Sequence, residues 1–125
     1  MAYQGFRDLI VYKKSYALAI KITELTKQFP KEEKYVLVDQ IRRSSRSIPA
    51  NVVEAWAKRI YVKSFIAKII DSYGEELETE MWIDMAFDYK YITQETHSEL
   101  REKYSEIRKM LIYMSRNPEK FTKHS

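Results

Sequence analysis

An all-α fold, an up-down-up-down antiparallel four-helix bundle, is predicted by three observations. Apolar residues recur at three- and four-residue spacing through four long segments, the breaks between them are short, and the 125 residues include only two Gly and three Pro. A chain of this length suits one domain with one core. Hydrophobic residues at 45% and charged residues at 32% exclude a disordered chain. The expected domain covers residues 1–117, with a mobile C-terminal tail, 118–125, after Asn117 and Pro118.

Each helix follows from its pattern. Val11, Ser15, Leu18, Ile22, Leu25 and Phe29 form the core stripe of a first helix expected from about Leu9 to Gln28. Pro30 cannot continue it but suits the start of the second, where Glu32 and Glu33 complement the positive helix end. Leu37, Val38, Ile41, Ser45, Ile48, Val52 and Trp56 carry that helix through Pro49, which is expected to bend it rather than end it. The third, about Lys63 to Tyr89, is assigned the stripe Ile66, Ile70, Tyr73, Leu77 and Met81. The fourth follows a Thr93 N-cap and repeats Leu100, Tyr104, Ile107, Leu111 and Met114. Breaks of a few residues, near Pro30, at 59–62 and at 90–94, join antiparallel neighbours.

Several kinds of chemistry are excluded. With no Cys there are no disulfides, thiolate metal ligands or cysteine nucleophiles. His97 and His124 lack the Glu-x-x-His spacing of di-metal bundles, and Ser44, Ser45 and Ser47 have no His nearby. The expectation is therefore a protein that is not an enzyme, with no catalytic residues, metal, cofactor or small-molecule substrate. No apolar run approaches the roughly 20 residues that span a bilayer, so a soluble, cytoplasmic protein without membrane contact is expected.

The net charge of +4 conceals an asymmetry: residues 1–70 hold 14 Lys and Arg against 6 Asp and Glu, whereas 71–125 hold 8 against 12. Arg42, Arg43 and Arg46 cluster opposite the core stripe of the second helix, with Lys58, Arg59 and Lys63 extending the basic surface. Guanidinium forks suit phosphate, so these six residues are the candidate surface for RNA or DNA. The alternative is that the arginines pair with acids such as Asp39, or with the third helix of a neighbouring subunit. On the third helix, Glu75, Glu78 and Trp82 lie opposite the assigned stripe and are the candidate subunit contact of a homo-oligomer.

Five blocks carry a family resemblance: Phe6-Arg7-Asp8-Leu9-Ile10-Val11-Tyr12, Phe29-Pro30-Lys31-Glu32-Glu33, Leu37-Val38-Asp39-Gln40-Ile41-Arg42-Arg43, Ser47-Ile48-Pro49-Ala50-Asn51, and Glu54. Together they resemble the four-helix-bundle 23S rRNA intervening-sequence proteins. The accessory variability proteins of diversity-generating retroelements are similar. The resemblance spans Phe6 to about Arg116 and implies a ring-like homopentamer with a basic surface, associated in the retroelement proteins with nucleic acid, and brings no catalytic residues. The chain departs from the family pattern after Glu54, where Ala55-Trp56-Ala57-Lys58-Arg59 replaces the usual Glu-Gly pair and its following basic residue.

Overall fold

The computed structural model describes residues 3–122 as four long helices, α1 (Ile10–Thr26), α2 (Leu37–Ala57), α3 (Val62–Asp88) and α4 (Gln94–Arg116), followed by one short turn of helix, α5 (Glu119–Thr122). Cross-helix pairs fix the topology. Lys14 and Lys21 of α1 meet Glu106 and Glu99 of α4, and on α2 and α3 Arg43 meets Glu78 while Glu54 meets Lys68. In each case the later residue of one helix meets the earlier residue of the other, so adjacent helices run antiparallel. α1 and α3 occupy opposite corners, each packing on α2 and α4.

Three of the four predicted stripes are buried, apart from Leu25 and Trp56, which are half-buried at the core edge. Val11, Ser15, Leu18 and Ile22 of α1 face the core, as do Leu100, Tyr104, Ile107, Leu111 and Met114 of α4. α2 buries Leu37, Val38, Ile41, Ser45, Ile48 and Val52 and runs unbroken through Pro49. It starts later than Pro30 suggests, because Lys31–Glu33 form a separate 3-10 turn.

α3 corrects the sequence reading by a rotation. Its buried face is Phe65, Ile69, Ser72, Glu76, Thr79, Ile83 and Ala86, a strict 4-3-4-3 repeat. The assigned stripe faces outward instead: Ile70, Leu77 and Met81 are 52%, 43% and 44% exposed, with Ile66 and Tyr73 half-buried at the edge. The cause lies in α2. Its small Ser44 and Ser45 let the helices approach, the Thr79 hydroxyl donates to Ser44 Oγ (2.8 Å), and that of Ser72 donates to the Ile48 carbonyl (2.8 Å). Small hydroxyl side chains therefore occupy the seam, satisfied as burial demands.

Both ends of α3–α4 are locally determined. Lys90, at φ 64°, takes the left-handed position after α3, with Tyr91 N–H donating to the Ala86 carbonyl (2.9 Å) and Lys90 N–H to that of Phe87 (2.9 Å), a Schellman stop. Thr93 caps α4 by accepting from Thr96 N–H (3.1 Å). The tail expected from residue 118 does not begin there. Pro118 leads into α5, because Phe121 finds an apolar seat with its ring 5.7 Å from Tyr3, 6.3 Å from Tyr113 and 6.4 Å from Phe65. The rest of that expected tail, 123–125, lies outside the described residues.

Candidate nucleic-acid interface

The six basic residues singled out by sequence do not form one patch. Arg42 and Arg46 turn toward α1: Arg42 donates to Thr26 Oγ1 (2.8 Å) and the Thr23 carbonyl (3.2 Å), and Arg46 to Thr23 Oγ1 (3.1 Å). Arg43 turns the other way, its guanidinium bridging Glu75 (3.1 Å) and Glu78 of α3 in the same copy. Those hydrogen bonds raise the Arg43 pKa, so its charge is permanent but engaged.

The same bridge places the expected subunit contacts. Burial alone would raise the Glu78 carboxyl, but hydrogen bonds from Trp82 and Arg43 outweigh it and hold the group below the usual carboxylate range. Trp82 does not project from the bundle; it is half-buried against the core edge, with its indole N–H donating to Glu78 (3.0 Å). Glu75, Glu78, Trp82 and Arg43 thus form one lattice clamping α2 to α3.

Lys58, Arg59 and Lys63 sit roughly 24 Å further along, at the rise of about 1.5 Å per residue from Arg42 to Lys58. They surround the α2–α3 turn, where Arg59 lies 4.1 Å over the Trp56 ring and donates to the Trp56 carbonyl (2.9 Å), leaving Ile60 and Tyr61 exposed. Antiparallel topology brings the start of α1 and the end of α4 to this end of the bundle. Arg7, Lys13, Lys58, Arg59, Lys63, Arg116 and Lys120 collect there against Asp8, Glu54 and Glu119. Two of those acids are occupied: Asp8 accepts from the Gln4 and Gly5 N–H groups, and Glu54 pairs with Lys68. At the opposite end, residues 24–39 and 80–99 hold nine Asp and Glu against four Lys. The poles do not follow the two halves of the sequence: the basic pole draws Arg116 and Lys120 from the second half, while Lys21, Arg42 and Arg43 of the first lie beside the opposite end and bring it close to charge balance.

Arg7, Arg116 and Lys120 escaped the sequence reading, since they join the site only through topology. The signal was present in the helix order: in an up-down-up-down bundle the first helix start, the second turn and the last helix end must coincide.

The remaining polar groups take other roles. Ser44 and Ser45 are buried and donate to carbonyls of their own helix (Ile41, 3.4 Å; Arg42, 3.2 Å), as half-buried Ser47 does to Arg43 (2.8 Å). His97 stacks on Phe87, with Nε2 2.8 Å from Asp84 Oδ1; His124 lies outside the described residues. Among the described residues no three His, Asp or Glu side chains converge as metal ligands, and no helix is long and apolar enough to cross a membrane.

The sequence profile of the 23S rRNA-intervening sequence proteins matches residues 7–113. The chain belongs to this family. Among solved structures, a Bacteroides thetaiotaomicron protein of unknown function from the S23 ribosomal protein family superposes with a TM-score of 0.78 at 34% identity, over 86% of this chain and 96% of that one. Among curated proteins none matches. The family match covers α1, α2 and α3 and all but the last three residues of α4, and stops short of α5.

Proposed function

We propose that this intervening-sequence family member is a non-enzymatic, self-associating bundle that binds RNA or DNA through its basic pole. The observation carrying the reading is the convergence of Arg7, Lys58, Arg59, Lys63, Arg116 and Lys120 at one end, with no acidic partner for any of them among the described residues. Cations displace counterions from phosphates, giving affinity that tolerates sequence and falls steeply with salt. Exposed Tyr61 in their midst offers a ring on which an unpaired base can stack, which favours single strands over duplex.

The test is fluorescence anisotropy with a labelled mixed-sequence single strand and its duplex. If five phosphates on a single strand are neutralised, affinity should fall about a hundredfold between 50 and 200 mM salt. Charge reversal at Lys58, Arg59 and Lys63 together should abolish uptake at low salt, and Tyr61→Ala should weaken single-strand binding only. Uptake unchanged by the triple reversal overturns this placement. The competing reading is a protein-protein scaffold that ignores nucleic acid. It is favoured by the engagement of Arg42, Arg43 and Arg46 within their own copy, and no uptake at either salt would establish it.

A further inference from the structure

We propose that a pocket between the start of α1 and the end of α4, roofed by α5, binds a small hydrophobic anion of the fatty-acid type. The site lies beside the basic pole, shares only Lys120 with it, and goes beyond nucleic-acid binding.

The cavity measures about 300 Å³, at the lower end of the roughly 300–1,000 Å³ typical of small-molecule sites. Segments flanking the bundle build it. Leu9 is extended and leads the chain from a 3-10 turn, Phe6–Asp8, into α1, so that Leu9 and Val11 form the inner wall. Met114, in the last turn of α4, lines the pocket with them, and all three are buried. Tyr3 and Phe121 of α5, their rings stacked 5.7 Å apart, close one side. At the mouth Ile10 and Tyr113 are 58% and 44% exposed, an apolar rim left open to water. Met110 joins Met114 in the wall, and unbranched, adaptable thioethers suit a flexible acyl chain. Tyr3, Lys120 and Phe121 all stand outside the segment that the family profile matches, residues 7–113.

Charge selects the occupant. Among the described residues that line the pocket, Lys109 alone is charged. Its acidic neighbour Glu106, one turn back on α4, is already held by Lys14 (2.7 Å). Lys120 stands 5.4 Å over the Tyr113 ring. Neither Lys109 nor Lys120 has an ion-pair partner among the described residues. An apolar slot flanked by two such ammonium groups matches a carboxylate on an apolar body. The acid group meets Lys109 at the mouth, while the chain removes apolar surface from water against Leu9, Val11 and Met114.

The test is nuclear magnetic resonance of the full chain, with isotope-labelled methionine methyls, titrated with decanoate below its micellar concentration. One decanoate per chain should bind, shifting Met110 and Met114 while Met81, exposed on α3, stays still. Lys109→Glu, at an exposed position, should reverse the charge preference: decanoate should bind about tenfold more weakly and decyltrimethylammonium more tightly than to the wild type. Circular dichroism verifies that the variant is folded. Unmoved Met110 and Met114 resonances overturn the site. Equal shifts at Met81 mean adsorption to any apolar surface and overturn it too. A preference unchanged by Lys109→Glu overturns the choice of an anion. Capture by phosphatidylglycerol vesicles with no response to decanoate overturns the free ligand in favour of a membrane surface.

Discussion

The two sides of α3 invert the usual arrangement. At mid-helix the buried side presents Ser72, Glu76 and Thr79, while the exposed side presents Ile70, Leu77 and Met81. Side-chain polarity therefore does not decide which side of this helix is inside; the shape of the facing helix does. Ser44 and Ser45 of α2 leave room for hydroxyls and a close seam, and a stripe of Leu and Met would overfill it.

Glu76 is where the inversion is most expensive. Its carboxyl is fully buried with no hydrogen-bond partner for either oxygen among the described residues, and the nearby Tyr104 hydroxyl is unpartnered too. Desolvation, reinforced by Glu80 and opposed by Arg108, pushes the Glu76 pKa up to about 9, and burial with Glu76 nearby raises that of Tyr104. With the folded value above the unfolded one, the folded state holds the proton more tightly. This contribution is fully present below pH of about 4.5 and is lost as pH rises toward 9, at roughly 1.4 kcal/mol per unit. Glu76→Gln should remove the slope and stabilise the protein by several kcal/mol at pH 8. Urea midpoints at pH 5, 7 and 9 will show it, and parallel curves for variant and wild type would sink the assignment.

The next prediction isolates the two sides with one residue type. Ile69 is buried and its neighbour Ile70 is half out. Ile69→Ala should cost about 2–5 kcal/mol. Ile70→Ala should stay within about 0.5 kcal/mol when unfolding is followed at protein concentrations low enough to dissociate any assembly. Equal losses would mean that the rotation of α3 is wrong.

Smaller effects probe the seam and the helix stop. Thr79→Val keeps the shape but deletes the bond to Ser44, and should lower stability by about 1 kcal/mol in denaturant titration. Lys90→Gly relieves a left-handed backbone that a side chain disfavours, and should raise the thermal midpoint by the equivalent of about 0.5–1 kcal/mol.

What could be read from the sequence follows the same logic. α1 and α4 were legible because their buried positions are mostly Leu, Ile, Val and Tyr at strict spacing, so the hydrophobic stripe and the packed stripe coincide. α3 was legible as a helix but not in its rotation, since its most hydrophobic stripe is not its packed one. Of the site, Lys58, Arg59 and Lys63 could be read because they are close in sequence. Arg43 could be read as a surface cation but not as the clamp on Glu75 and Glu78, which depends on how α2 lies against α3. Arg7, Arg116 and Lys120 needed the topology.

The unequal ends of the bundle have a consequence for how it travels. Four helices in alternating directions largely cancel their backbone dipoles, so the moment left over comes from side chains and points along the long axis. In the field of any polyanion such a molecule feels a torque before it feels a contact. If the proposed binding holds, the bundle would approach with the α2–α3 turn leading and the α1–α2 turn trailing.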